Sequence, residues 1–202
     1  MAHLSNILLT GLGDYEKNGV IIRNNPSQLA VEKFVSRYRL FKNFNVIGAI
    51  LDANNREVAG NQVRKLLDQH HPAVCLSLGM KTVGTESLLL EEQAMDINDQ
   101  GLDLRTKIKI GDIVSECYHQ GVKAKISCDA GSGTCNLIYY VGLKHIEDAH
   151  LETVMVFVHL PLLPETMLIG KNRTPEVSLE EVHRAISIIL TYALRGMGSI
   201  NN

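Results

Sequence analysis

Short apolar segments alternate with amphipathic segments along most of the chain. Runs rich in Ile, Leu and Val predict buried strands, and apolar residues spaced three or four apart predict helices. The segment 88–97 fits either class, and 11–26, 81–87, 96–105 and 162–175 are predicted loops. We predict strands over 7–10, 45–51, 73–78, 122–127 and 153–160, and helices over 29–41, 58–67, 107–119, 136–144 and 178–194.

This alternation predicts an α/β fold: an open, twisted, mostly parallel sheet with helices on both faces. The 202 residues show no internal repeat and no low-complexity linker, so we expect one domain over 1–202. Ser178 and Glu181 fit a capping box at the start of the last helix. In such sheets, binding sites form at the carboxyl ends of the strands, and we expect the functional residues there.

Composition narrows the function classes. The chain is 45% hydrophobic and 21% charged, with a net charge of -2 and a pI near 6.4. These values do not favour binding to nucleic acid or to a membrane surface. No apolar run approaches the roughly 20 residues of a membrane span, and the N-terminus lacks the pattern of a signal peptide. We therefore expect a cytoplasmic protein.

The four cysteines show neither metal-site nor disulfide-framework spacing, so we expect free thiols and no metal. They are Cys75, Cys117, Cys128 and Cys135.

Cys135 stands out by its local sequence. Residues 128–136 read CDAGSGTCN, in which a turn at 131–133 leads into the predicted helix. A helix N-terminus carries about half a positive charge and unpaired N–H groups. Both favour a reactive thiolate, and the same N–H groups bind an oxyanion. The pattern alone leaves two alternatives open: a nucleophile, or a structural cysteine beside a turn.

A nucleophilic cysteine needs a base, and His159 is the best placed of the eight histidines. It lies at the carboxyl end of the strongly apolar strand 153–160, where an open parallel sheet places its site. On its own, a histidine there is more often a satisfied core residue. Together with Cys135, it becomes a candidate general base.

A weaker alternative concerns the first predicted turn. Gly11-Leu12-Gly13 follows the first strand, as a nucleotide-binding turn does. The full G-x-G-x-x-G pattern is absent, because position 16 is Glu.

Three segments, in order, resemble the pyroglutamyl peptidase I family, also called pyrrolidone-carboxylate peptidases. DAGSGTCN at 129–136 resembles the family's S-A-G-T-x-x-C-N signature, and FVHLPLLPE at 157–165 resembles F-I-H-x-P-x-L-P-E. His159 follows Cys135 by 24 residues, as in the family. Near the N-terminus, 7–11 and 25–31 resemble the family's opening strand and its N-P-S-x-x-A-V helix start.

The resemblance implies a cysteine peptidase that removes an N-terminal pyroglutamyl or related N-acyl group from peptides. Cys135 would be the nucleophile and His159 the base. Glu91, in EEQAMD at 91–96, would be the orienting acid, with Glu92 as the alternative. The family implies no cofactor and no metal, a peptide substrate with a blocked N-terminus, and a homotetramer or homodimer.

The specificity segments depart from the family pattern. The loop G-F-x-P-F-G-G is GLGDYE here, G-Q-A-G-G-R is GMKTVG, and the Arg after the catalytic Glu is Glu92. We therefore expect altered specificity, with a negative charge near the site. The alternative is a degenerate, non-catalytic relative that binds a peptide or protein. The expected substrate-binding residues are Leu12, Tyr15, Asn25 and Met80.

Overall fold

The computed structural model describes residues 5–37, 43–81, 85–97, 101–170 and 177–196. Strands and helices alternate along them, as the apolar pattern predicts. The strands are β1 (Ser5–Leu12), β2 (Tyr15–Lys17), β3 (Val20–Arg23), β4 (Phe44–Leu51), β5 (Val74–Met80), β6 (Leu88–Glu91), β7 (Gln93–Ala94), β8 (Leu104–Arg105), β9 (Ala124–Ser127), β10 (Val154–Leu160) and β11 (Met167–Ile169). The helices are α1 (Pro26–Arg37), α2 (Arg56–His70), α3 (Ile110–His119), α4 (Thr134–Asp148) and α5 (Leu179–Gly196).

Six strands form the central sheet, in the order β4-β1-β5-β10-β6-β9. Every neighbouring pair is parallel except β10 and β6, which run antiparallel. Apolar residues run almost continuously along the inner strands because both faces of the sheet are covered. The predicted mostly parallel sheet is confirmed.

Helices cover both faces of this sheet. Successive side chains of a strand point to opposite faces. Ile7 and Leu9 accordingly pack in one apolar cluster with residues of α1, α3 and α5. Leu8 packs in the other cluster, with residues of α2 and α4. The predicted three-layer α/β architecture is therefore confirmed, and it places the N-termini of α2 and α4 at the carboxyl edge of the strands.

Helix boundaries differ from the prediction where capping groups extend the helix. α1 begins at Pro26, because Asn25 Oδ1 accepts a hydrogen bond from the Ser27 N–H. The predicted residues 38–41 lie outside the described residues. α2 begins at Arg56 because Asn55 Oδ1 accepts from the N–H groups of residues 57 and 58. Side-chain capping of this kind satisfies N–H groups that a helix start leaves unpaired.

Only one of the two hydrogen bonds of the predicted capping box forms at the start of α5. Ser178 Oγ accepts a hydrogen bond from the Glu181 N–H at 3.1 Å. The Glu181 carboxylate instead accepts from the Lys123 N–H. The helix start is therefore tied to the segment before β9.

Two predicted loops are partly strands. The segment 11–26 contains β2 and β3, and 162–175 contains β11, which together form an antiparallel sheet in the order β11-β3-β2. These strands have three or four residues each, which is too short for a periodicity argument. The ambiguous segment 88–97 contains β6 and β7, and β7 pairs with β8 from the predicted loop 96–105.

None of the helices in the described part of the chain has the length and apolar character needed to cross a membrane.

Candidate active site

Cys135 is the second residue of α4, whose N-cap is Gly133. Its side chain is partly exposed at the carboxyl edge of the sheet. The sulfur occupies space left by Gly79 in β5, since a Cβ built at that glycine would lie 2.8 Å from Cys135 Sγ. The absence of a side chain at residue 79 therefore lets the thiol sit directly over the sheet.

His159 lies near the end of β10, directly beside Gly79 in the parallel register. Its ring is 3% exposed. Nδ1 lies 2.7 Å from Oε1 of Glu91, and Cys135 is close enough to the ring to raise the pKa of His159. Because Nδ1 contacts Glu91, Nε2 is the nitrogen left to face the sulfur. The structure thus brings together the three residues expected to act in catalysis.

The charges of these groups are coupled. Burial disfavours the imidazolium and by itself lowers the pKa of His159. Attraction to the Cys135 and Glu91 side chains outweighs burial and raises the pKa of His159 from 6.5 to about 9. At neutral pH the ring is therefore largely protonated when the sulfur is a thiolate.

Glu91 is fully buried at the end of β6. Its main-chain carbonyl accepts a hydrogen bond from the Tyr139 hydroxyl of α4 at 3.1 Å. Among the described residues, Oε2 has no hydrogen-bond partner. A buried carboxylate needs a compensating charge, and the protonated His159 ring supplies it through Oε1.

Glu92 faces a different set of groups. Its carboxylate lies 3.2 Å from Nη1 of Arg105 and accepts a weak hydrogen bond from Cys128 Sγ at 3.6 Å. The expectation that Glu92 puts a free negative charge beside the site is therefore wrong, because its carboxylate is paired with Arg105 on the surface. Glu91, and not Glu92, contacts His159.

A pocket of about 450 Å³ opens over Cys135. Its floor is apolar, with Leu12, Ile22 and Met80 each at most 9% exposed. Its rim is polar and exposed. The described lining residues are Leu12, Tyr15, Val20, Ile22, Ala53, Asn54, Arg56, Met80, Ser132, Gly133, Thr134 and Cys135.

Three of the four expected substrate-binding residues line this pocket: Leu12, Tyr15 and Met80. Sequence reasoning missed Val20 and Ile22, because they lie on β3, within a predicted loop. The short apolar run Val-Ile-Ile at 20–22 was the one available signal.

Asn25 requires a correction, since it is not among the described lining residues. It is 4% exposed, and its amide donates to the Gly13 carbonyl at 2.9 Å. Its Oδ1 caps α1 and accepts from the Ser27 hydroxyl. Asn25 therefore shapes the loop before the pocket and does not form the pocket wall.

The glycine turn after β1 has a packing role. A Cβ at Gly11 would lie 2.4 Å from the Ser27 carbonyl oxygen. Ser27 also exchanges hydrogen bonds with the main chain of Leu12. Gly11 thus permits close packing of α1 on β1, which removes the reason for a nucleotide-binding interpretation.

The other three thiols lie in different environments. Burial raises the pKa of Cys75 to about 12 and the pKa of Cys117 to about 11, so both stay protonated. Cys128 is exposed and hydrogen-bonded to Glu92. No group of three His, Cys, Asp or Glu side chains in the described ranges is arranged to hold a metal ion.

Comparisons with known proteins match this architecture. A family model for pyroglutamyl peptidase matches residues 99–196. A pyrrolidone-carboxylate peptidase of Oceanobacillus iheyensis is 25% identical, over 93% of this chain and 98% of its own. A pyrrolidone-carboxylate peptidase of Mycobacterium tuberculosis is also 25% identical, over 98% of this chain and 96% of its own. This chain is similar to the pyroglutamyl peptidases.

Solved pyroglutamyl peptidases share the fold. Pyroglutamyl peptidase I of Bacillus amyloliquefaciens superposes with a TM-score of 0.79 at 21% identity, covering 95% of this chain and 97% of its own. A mutant pyrrolidone carboxyl peptidase of Pyrococcus furiosus superposes with a TM-score of 0.81 at 19% identity, covering 95% of this chain and 99% of its own. Three of the departures from the pyroglutamyl peptidase motifs, Leu12, Tyr15 and Met80, line the pocket beside Cys135.

Proposed function

We propose that this chain is a cysteine peptidase that removes an N-terminal pyroglutamyl or related small N-acyl group from peptides. The observation that carries the proposal is the 2.7 Å contact between Glu91 Oε1 and His159 Nδ1, on a histidine that lies beside Gly79 in the sheet, where the Cys135 sulfur sits. A nucleophile, a base and a group that orients the base are the parts of covalent acyl transfer.

The first step activates the nucleophile. Cys135 loses its proton to Nε2 of His159, while Glu91 holds Nδ1–H and stabilises the imidazolium. The N-terminus of α4 adds its positive potential at the sulfur. The thiolate then attacks the acyl carbonyl carbon, and a C–S bond forms.

The second step expels the amine. The main-chain N–H groups at the start of α4 are suited to hold the oxyanion, since helix starts leave them without intrahelical partners. The C–N bond breaks, and His159 Nε2–H gives its proton to the leaving amine. Water, activated by the neutral ring, then hydrolyses the thioester and regenerates the thiol. These steps require no metal and no organic cofactor.

The apolar floor at Leu12, Ile22 and Met80 suits a small acyl group carrying few polar atoms. The substrate class in this proposal is a peptide with a blocked N-terminus. We also propose that residues 1–202 form one domain. By resemblance to the family, the chain would form a homodimer or a homotetramer.

Met80 favours a second candidate function, binding of a blocked peptide without turnover. In the family motif a Gln stands at its position, and a Met side chain offers no amide to hydrogen-bond a lactam. A site built to hydrogen-bond its ligand loses binding and discrimination together when such a group is missing.

The two candidates are separated by comparing thiol labelling with turnover. Iodoacetamide should label Cys135 in the native protein, because labelling needs only a thiolate. Neutral pyroglutamyl amides should be cleaved slowly, and Cys135→Ala should abolish the cleavage. A labelled protein that hydrolyses no N-acyl amide, and forms no acyl-enzyme visible by mass spectrometry, is a binding protein. Turnover above about 1 per second on a standard pyroglutamyl amide means that the pocket changes do not impair catalysis.

A further inference from the structure

The pocket over Cys135 has one charged side chain among its twelve described lining residues, Arg56. Arg56 is exposed at the rim, whereas the apolar floor is buried. Within the described residues its guanidinium makes no hydrogen bond and no ion pair. The pocket therefore presents an unpaired cation to the part of a bound substrate that extends from Cys135 toward solvent.

The packing of two helices places Arg56 beside the nucleophile. α2 and α4 each precede a parallel strand of the central sheet, so both begin at its carboxyl edge. They pack closely: a Cβ at Gly60 of α2 would lie 3.4 Å from Leu137 of α4. Arg56 comes one turn before Gly60, and Cys135 comes two residues before Leu137. Arg56 and Cys135 therefore occupy neighbouring helix starts on the same side of the pocket.

We propose that Arg56 selects substrates whose leaving group carries a carboxylate; this rests on the peptidase function proposed above. The acyl group enters the buried apolar floor, so the amine half of the substrate must pass the exposed rim. A guanidinium pairs with a carboxylate through two parallel N–H···O bonds. The helix start at Arg56 adds positive potential that favours the same anion.

The carboxylate has two possible sources in a short peptide: an acidic side chain next to the scissile bond, or the peptide's own C-terminus. Two substrate pairs separate them. Pyroglutamyl-glutamate amide is compared with pyroglutamyl-glutamine amide, and pyroglutamyl-alanine is compared with pyroglutamyl-alanine amide. Within each pair the acyl group is the same and only the negative charge differs.

The measurement is the ratio of kcat/KM within each pair. For the wild type we expect the carboxylate substrate to be preferred by about threefold to tenfold in at least one pair. Arg56→Gln should bring that ratio close to one, and Arg56→Glu should invert it. Raising the salt concentration should weaken the preference, because ions screen exposed charges. Arg64→Gln is the matched control: it removes an exposed Arg of the same helix that bonds Asn61, and the ratio should stay at the wild-type value.

A ratio near one for the wild type, or a preference that survives Arg56→Gln, overturns the role of Arg56 and leaves the peptidase function standing. If the folded wild type hydrolyses none of the four substrates, both the role of Arg56 and the pyroglutamyl peptidase activity proposed above are overturned.

Discussion

Glu91 and His159 form a diagonal pair across the one antiparallel junction of the central sheet. Glu91 is opposite Phe157 in the register, and His159 is opposite Leu89. Residues two apart on a strand share a face, so the two side chains meet over the sheet, with Oε1 and Nδ1 2.7 Å apart. The reversed direction of β6 thus places a buried carboxylate against the base.

The first prediction tests Glu91 as a positioning residue. Glu91→Gln should lower kcat by about 10²- to 10⁴-fold with a much smaller change in KM, because the amide neither stabilises the imidazolium nor fixes the tautomer. Glu92→Gln removes the neighbouring carboxylate, which pairs with Arg105, and should stay within about twofold of wild type. Equal losses in both variants, measured by steady-state kinetics, would contradict the assignment.

The second prediction concerns pH. The pKa of His159 rises from 6.5 to about 9 on folding, so the folded state binds this proton more tightly than the unfolded state. The resulting stability is fully present below about pH 6.5 and is lost as the pH rises through about 9. Hydrolysis should fall over the same upper range, because the leaving amine loses its proton donor.

An NMR titration of the His159 ring should give a midpoint near 9. The free energy of unfolding should decline from pH 7 to pH 10 more steeply in wild type than in the double variant Glu91→Gln/His159→Gln, which lacks both charges. A midpoint at or below 6.5, or parallel stability curves, would show that the pair does not hold the proton.

The third prediction concerns Gly79. A methyl group there would lie 2.8 Å from Cys135 Sγ and 2.8 Å from Phe157 Cζ. Gly79→Ala should displace the thiol, and we expect both alkylation of Cys135 and hydrolysis to slow by about tenfold or more. Overpacking should also cost about 1–3 kcal/mol of stability.

Gly111→Ala is the control for this change, because the nearest heavy atom to its new methyl group is 4.0 Å away. Placed within α3, it should slightly raise stability and leave labelling at the wild-type rate. Mass spectrometry of the Cys135 peptide over time measures the labelling rates. Unaltered labelling in Gly79→Ala would mean that the sulfur does not need this space.

The fourth prediction concerns Met80. Met80→Gln supplies the amide found in the family motif, at the buried floor of the pocket. We expect kcat/KM for a neutral pyroglutamyl amide to rise by about tenfold, because one hydrogen bond to a buried polar group commonly gives this much discrimination. Met80→Leu, which lacks hydrogen-bonding groups, should not give this rise. A decrease with Met80→Gln would indicate that the natural acyl group is apolar.

Much of this arrangement was predictable from local sequence. The small residues before Cys135 predicted a turn, and the apolar residues after it predicted a helix, so the thiol at a helix start followed directly. The strand 153–160 was equally clear, because six consecutive apolar or β-branched residues precede its histidine and Leu160 follows it. Both signals arise from neighbours along the chain, where hydrogen bonding and side-chain periodicity act over a few residues.

The tertiary structure decided the rest. Glu91 and Glu92 are adjacent and chemically identical, and only the pairing of β6 with β10 determines which one faces His159. The pocket wall on β2 and β3 depends on pairing with β11, more than 140 residues away along the chain. Asn25 lies in a helix cap, and Arg56 reaches the rim because α2 packs on α4. Such contacts join residues far apart in sequence, so chain pairing and packing determine them and local periodicity does not.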